Sequence, residues 1–122
     1  MIEFKNVSKV YDNGSVALDD VCLTINDGEF VLICGHSGAG KSTLFKLLTH
    51  EVVPDSGTVI VDDFDVTRMK RSKIPKLRRK LGVVFQDFRL LPNKTVSENI
   101  AFALEVIEEK PKVIKEKVSH VL

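Results

Sequence analysis

The feature that most constrains this chain is a glycine-rich run that ends in lysine and serine, Gly35-His36-Ser37-Gly38-Ala39-Gly40-Lys41-Ser42. Residues 30–34, just before it, are apolar and rich in β-branched side chains, which predicts a buried strand. Residues 41–48, just after it, predict a helix, because Phe45 and Leu48 fall on one helical face beside Leu44 and Leu47. The chain is therefore predicted to pass from a strand through a tight loop into a helix.

The run matches G-x-x-x-x-G-K-[ST], a pattern typical of loops that bind phosphate groups. A helix N-terminus offers unpaired N–H groups and about half a positive charge. Gly38 and Gly40 can adopt backbone angles that let successive N–H groups surround a phosphate. Lys41 is expected to reach the β- and γ-phosphates, and the Ser42 hydroxyl to bind Mg²⁺. The sequence thus predicts a site for ATP or ADP with Mg²⁺.

Composition narrows the class of protein. A chain of 122 residues with 43% hydrophobic and 29% charged side chains is typical of one globular domain at most. A net charge of +1 excludes a global attraction to nucleic acid or to anionic lipid. No apolar run has the length of a membrane span, and the first residues are not typical of a secretory signal, so a cytoplasmic location is expected. Cys22 and Cys34 lie in strand-like sequence and are predicted to be small core residues.

The remaining sequence predicts an antiparallel piece joined to a parallel α/β core. A first strand has an irregularity near Asn6-Val7, and turn residues follow at 12–15. A capping box, Thr95 with Glu98, predicts the start of a helix. The other predicted elements are strands at 21–25, 58–61 and 81–85, a short helix at Pro75 and a final helix at 113–122.

Three further features accompany the glycine-rich run. Tyr11 precedes the run, Gln86 follows the predicted strand 81–85, and the stretch 85–106 begins Phe-Gln-Asp-Phe-Arg-Leu-Leu-Pro. With them the whole chain resembles the nucleotide-binding domain of ATP-binding cassette (ABC) proteins, and most closely the members that act in bacterial cell division. The resemblance implies a P-loop NTPase (RecA-like) α/β core with an N-terminal antiparallel β piece and the start of the ABC helical subdomain. Residues 1–92 would form the β piece and core, and 93–122 the beginning of the helical subdomain.

The resemblance also assigns roles to residues. Tyr11 would stack on adenine, and Gln86 would contact Mg²⁺ and the attacking water. Lys41 and Gln86 are then the catalytic residues, and Ser42 and Gln86 the metal ligands. The nucleotide-binding residues are Tyr11, Gly35, His36, Ser37, Gly38, Ala39, Gly40, Lys41, Ser42 and Thr43.

Partners follow from the same resemblance. The family implies a polytopic membrane protein and a second copy of the ATPase, with the ATPase on the inner face of the plasma membrane. A groove for the membrane partner would be lined by Phe88, Leu90, Leu91 and Pro92, for which ordinary core packing is the alternative. Two other functions stay open: an ATPase for another ABC transporter, such as a lipoprotein or peptide exporter, and a nucleic-acid-binding ABC factor that uses the basic run 68–80. An anionic membrane surface is the alternative partner for that run.

The chain lacks the motifs that come later in the family pattern. It contains no signature loop of the Leu-Ser-Gly-Gly-Gln type, no strand ending in an aspartate and the catalytic glutamate, and no switch histidine. It therefore looks like a truncated cassette, expected to bind nucleotide and to hydrolyse it negligibly. In the family the strand with the aspartate lies beside the phosphate-loop strand, so an apolar edge is expected here, with a swapped or edge-paired oligomer as the result.

Overall fold

The computed structural model describes residues 1–122 and contains two compact units, Met1–Leu81 and Gly82–Leu122. The first unit is built on a four-stranded sheet in the order β2-β1-β3-β4, in which every neighbouring pair is antiparallel. Its strands are β1 (Ile2–Val10), β2 (Val16–Ile25), β3 (Ser56–Val61) and β4 (Phe64–Asp65). The antiparallel piece predicted for the N-terminus is thereby confirmed.

Strand β1 lies in the middle of this sheet and carries the predicted irregularity. Its register with β2 shifts between Phe4 and Val7, where Asn6 has φ of 49°. The predicted turn after β1 closes through a bond from the Tyr11 N–H to the Ser15 carbonyl at 2.9 Å. Because pairing resumes at once, β2 begins at Val16, earlier than the sequence predicts.

Helices pack the core of the first unit against this sheet. Helix α1 (Lys41–Leu48) buries Leu44 and Leu47, whereas Phe45 is 52% exposed and does not share their face. A 3₁₀ turn (Arg71–Lys73) leads into α2 (Ile74–Lys80), which has Pro75 in its first turn as predicted and buries Leu77. The buried apolar side chains form one cluster: Phe4, Val7, Leu18, Leu44, Leu47, Val59, Val61, Val66 and Leu77.

Two predicted strands are absent. Residues 30–34 and 81–85 are not strands, and the prediction that they are buried is wrong: Phe30 is 95% exposed and Val84 97%. A strand exists only where a neighbour completes its ladder of hydrogen bonds, and no segment of the chain pairs with either run. The prediction of Cys22 and Cys34 as core residues is also wrong, since both thiols are exposed.

The second unit contains two helices, α3 (Val96–Val106) and α4 (Pro111–Val121). The capping box that begins α3 is confirmed: the Glu98 N–H donates to Thr95 Oγ1 at 3.2 Å and the Thr95 N–H to Glu98 Oε2 at 2.8 Å. The Thr95 N–H, followed by the Thr95 hydroxyl and the Lys94 ammonium, holds the pKa of the Glu98 carboxyl below its usual value. None of the helices has both the length and the apolar character needed to cross a bilayer.

Candidate functional site

The glycine-rich loop depends on Gly40 for its approach to β2. Gly38 and Gly40 both lie in the left-handed region, with φ of 83° and 80°. A Cβ atom on Gly40 would lie 2.2 Å from the Ala17 carbonyl oxygen and 2.9 Å from Leu18 Cδ2. The loop therefore packs directly on the backbone of β2, which fixes where α1 begins.

No side chain of α1 neutralises the partial positive charge at the start of the helix. Gly40 is the N-cap and provides no side-chain cap, and the first turn of the helix contains no acidic residue. The N–H groups and partial positive charge of the helix terminus are thus not neutralised by a carboxylate of the helix itself. Lys41 Nζ donates to the carbonyl oxygens of Gly35 and His36, both at 2.6 Å, so the ammonium group is held over the loop.

These groups line a cleft of about 340 Å³, within the range of small-molecule sites. Seven of the predicted nucleotide-binding residues line it: Tyr11, Ser37, Gly38, Gly40, Lys41, Ser42 and Thr43. The predicted residues Gly35, His36 and Ala39 belong to the loop but are not among the lining residues. The structure therefore brings most of the predicted set into one cavity of the first unit.

Three lining residues were missed from the sequence: Ser15, Ala17 and Lys46. A signal for Lys46 was available, because it follows Ser42 by four residues and so lies on the same face of α1. Ser15 and Ala17 are two residues apart where β2 begins, and alternate positions in a strand share a face. Lys46 adds an exposed cation to the cleft beside the half-buried Lys41.

Hydrogen bonds fix both the side chain of Tyr11 and the backbone just before it. Its hydroxyl lies 3.2 Å from Thr43 Oγ1 on α1, and Thr43 is buried. The preceding residue, Val10, donates its N–H to Asp55 Oδ2 at 2.6 Å, and Lys9 Nζ lies 3.0 Å from Asp55 Oδ1. The Val10 N–H, followed by the Lys9 ammonium, holds the pKa of the Asp55 carboxyl below its usual value.

The second unit contains Gln86 and the predicted partner-groove residues. Phe88 and Leu90 are 77% and 67% exposed, Pro92 is exposed, and Leu91 is half-buried. The roles of Gln86 at Mg²⁺ and of these four residues in binding a membrane protein stay predictions.

The loop that carries these residues has a defined conformation. Phe88 and Arg89 have φ of 56° and 45°, values uncommon for side chains larger than glycine. The Arg89 guanidinium stacks on the Phe85 ring, 3.7 Å from its centroid. Asn99 of α3 accepts from the Leu91 N–H at 2.7 Å and donates to the carbonyls of Leu91, Lys94 and Thr95.

The site thus combines three features: a glycine loop packed on a sheet, a helix N-terminus, and a lysine held over the loop. This combination is typical of the phosphate-binding site of an ATP-binding cassette. Residues 18–122 match the family model described as ABC transporter, and the chain belongs to that family. The structure superposes with TM-score 0.87 and 34% identity on the dimeric post-hydrolysis state of the ATP-binding cassette MJ0796 bound to ADP and Pi, covering 98% of this chain and 55% of that one. The predicted fold class is confirmed by this match.

Curated relatives point to one branch of the family. The chain is 53% identical to the cell division ATP-binding protein FtsE of Bacillus subtilis over all of its 122 residues, which is 54% of that protein. It is 42% identical to the methionine import ATP-binding protein MetN 1 of Bacillus thuringiensis, covering 100% of this chain and 37% of that protein. The chain thus spans about half the length of the FtsE protein and less of MetN 1.

Proposed function

We propose that the chain is the nucleotide-binding part of an ATPase subunit in an ABC complex of the FtsE/FtsX type, which acts in bacterial cell division. In this proposal the ATPase lies on the inner face of the plasma membrane and couples ATP binding and hydrolysis to a polytopic membrane protein. The observation that carries the proposal is the cleft at the start of α1, supported by the 53% identity to an FtsE protein.

The chemistry of the cleft suits a nucleotide with several phosphates. Lys41, Lys46 and the open helix terminus all place positive charge on it. Tyr11 also lines the cleft, with its hydroxyl beside Thr43, and its aromatic ring offers a surface on which a base would stack. Mg²⁺ usually retains waters and binds through one or two protein oxygens together with substrate phosphates. The Ser42 hydroxyl is the protein oxygen that fits this role, and when bound the ion would neutralise phosphate charge.

ATP hydrolysis requires a general base, which the lining of this cleft does not provide. That lining includes no aspartate, glutamate or histidine to take a proton from an attacking water. A positioned general base contributes about 10²- to 10⁴-fold to rate. We therefore propose that these 122 residues bind nucleotide with negligible turnover, and that hydrolysis belongs to the whole protein as a homodimer.

A Mg-ATP titration of the chain tests the nucleotide site. Charge-assisted hydrogen bonds contribute about 1.5–3 kcal/mol each. Lys41 Nζ could make two to phosphate oxygens in place of its bonds to the Gly35 and His36 carbonyls, so Lys41→Ala should weaken binding by more than about tenfold. Tyr11→Ala removes one stacking contact of about 1–3 kcal/mol and should have the smaller effect. Lys112→Ala, an exposed lysine of α4, is the matched control and should bind normally.

Two results would contradict this proposal. If Lys41→Ala and Tyr11→Ala both bind like the parent chain, the cleft is not a nucleotide site. If the parent chain shows steady ATP turnover that Lys41→Ala abolishes, the statement on turnover is wrong.

The exposed side chains of Phe88 and Leu90 support a partner groove on the second unit. Leu90→Asp places a charge on this surface and should abolish capture by an FtsX-type membrane protein. Val121→Asp is the control, since Val121 has the same 67% exposure as Leu90 but lies on α4. Capture that survives Leu90→Asp would remove the groove from the proposal.

The identity to MetN 1 favours a second candidate, an ATPase subunit of another ABC transporter. The nucleotide cleft serves both candidates equally, so the membrane partner has to decide between them. Capture of an FtsX-type protein in preference to the membrane subunits of an importer or exporter supports the cell-division complex, and the reverse preference supports the transporter.

A further inference from the structure

A run of basic residues that contributes nothing to the lining of the cleft lies at 68–80, a stretch that we call the basic segment. Between Val66 and Gln86 the chain has no acidic residue. The segment contains Arg68, Lys70, Arg71, Lys73, Lys76, Arg78, Arg79 and Lys80. Since the whole chain has a net charge of only +1, this is a local concentration of charge.

The fold holds the basic segment in place. Val66 and Leu77, just before it and within it, are 2% and 0% exposed and belong to the core cluster, and Met69 packs against that cluster. Thr67 Oγ1 accepts from the Val59 N–H at 2.8 Å on β3. Apolar side chains therefore point inward along this stretch while the cations between them point outward.

Most of these cations are free to meet a partner. Arg78 is exposed but already engaged, since its Nε donates to the Thr49 carbonyl at 3.0 Å. Lys80 lies 3.8 Å from Asp62 Oδ2 and over the Phe64 ring. Five exposed residues of the segment have a charged side-chain group that makes no hydrogen bond, ion pair or ring contact: Arg68, Lys70, Arg71, Lys73 and Lys76.

We infer that the basic segment binds the anionic headgroups of a membrane surface. Clusters of four to eight lysines and arginines on a protein surface are typical of binding to anionic lipid, at about fivefold in affinity per charge. The five free cations are spread along an exposed segment, which suits a surface that carries many separate anions better than one small ligand. The segment contains no aromatic side chain on which the bases of a single-stranded nucleic acid would stack. This inference is independent of the nucleotide cleft.

Sedimentation of the 122-residue chain with lipid vesicles tests the inference. Vesicles of phosphatidylcholine with one third phosphatidylglycerol should bind the chain, and vesicles of phosphatidylcholine alone should not. The double substitution Lys73→Gln with Lys76→Gln should lower the partition coefficient by about 25-fold, since two charges are lost. Binding should weaken as salt is raised, because the ions screen the surface charge.

Two further variants control for net charge and for charge type. Lys112→Gln with Lys115→Gln removes the same charge from exposed lysines of α4 and should bind vesicles like the parent chain. Lys73→Arg with Lys76→Arg keeps the charge and should also bind. The Lys73/Lys76 glutamine variant should keep the parent's affinity for nucleotide, so failure of the lipid inference is distinguishable from failure of the nucleotide site.

Three results would overturn the inference. The first is equal binding to charged and neutral vesicles. The second is an equal loss of binding in the α4 control. The third is displacement of the chain from charged vesicles by duplex DNA at a lower phosphate concentration than the lipid, which would assign the basic segment to nucleic acid instead.

Discussion

Gly38 and Gly40 have nearly the same backbone conformation, with φ of 83° and 80°, but different surroundings. No atom lies within 4 Å of where a Cβ on Gly38 would be, whereas a Cβ on Gly40 would overlap the Ala17 carbonyl. The motif identifies both glycines as equivalent members of a phosphate loop. Only the structure shows that Gly40 has a second task, the close packing of the loop on β2.

This difference predicts unequal losses of stability. Gly38→Ala imposes a left-handed conformation on alanine and should lower the free energy of unfolding by about 1–2 kcal/mol. Gly40→Ala adds a steric overlap with fixed backbone, worth about another 1–3 kcal/mol. Urea unfolding of the two variants measures the difference, and equal losses would show that the loop relaxes away from β2 at little cost.

The sequence predicted the residues that the loop and α1 contribute to the cleft, but not those that β2 contributes. Lys41, Ser42 and the glycines are contiguous, so their convergence follows from one loop and one helix start. Ser15 and Ala17 reach the cleft only because β2 runs alongside Gly40, a contact between residues far apart in the sequence. Asp55 was missed for the same reason, since β2 and α1 separate it in the sequence from its partners Lys9 and Val10.

Among whole elements, those specified by local chemistry were predicted and those that need a distant partner were not. The capping box at Thr95 and Glu98 is complete within four residues, and α3 begins where the sequence indicates. Pro75 similarly marks the first turn of α2. The runs 30–34 and 81–85 have the composition of strands but no partner within the chain, so composition alone gave the wrong result.

Asp55 joins two elements and makes that junction sensitive to pH. Its carboxylate accepts the Val10 N–H at the end of β1, and this bond, with the Lys9 ammonium, holds its pKa below the ordinary 3.8. A carboxyl with a lowered pKa in the folded state contributes stability above its unfolded pKa and loses it as the pH falls through the folded value. The junction should therefore weaken as the pH falls below about 3.8, the carboxyl's ordinary pKa.

Asp55→Asn should remove this part of the acid sensitivity. The variant should be less stable than the parent at neutral pH, and the gap between them should narrow as the pH is taken from neutral to below about 3.8, chiefly at the acid end. Thermal unfolding over that range measures the gap. Asp63→Asn, which removes an exposed carboxylate from the turn between β3 and β4, is the control. A gap that stays constant with pH would show that the Asp55 carboxylate does not stabilise the end of β1.

At the scale of the whole molecule, apolar surface is left exposed. Phe30 and Leu32 are 95% and 76% exposed in a run that precedes the glycine-rich loop and pairs with no other segment. Relatives such as FtsE of Bacillus subtilis are about twice as long as this chain, which covers 54% of that protein. The resemblance to the ABC family implies a further strand, which carries an aspartate and lies beside the phosphate-loop strand. The run 30–34 therefore has the composition of a central strand but the exposure of an unpaired edge.

An unpaired apolar edge favours pairing with another copy of the chain, because each copy offers the N–H and C=O groups that the other lacks. We expect the 122-residue chain to form edge-paired or swapped oligomers whose population rises with concentration. Leu32→Lys places a charge on the edge and should shift the chain toward monomer, raising the dissociation constant at least about tenfold, or about 1.4 kcal/mol. Val121→Lys is the control, with a charge at an apolar residue of α4 that is 67% exposed. Light scattering over a broad concentration range measures both variants. A parent chain that stays monomeric throughout would mean that residues 30–34 do not pair, and an equal shift in both variants would mean that general apolar contact holds the copies together.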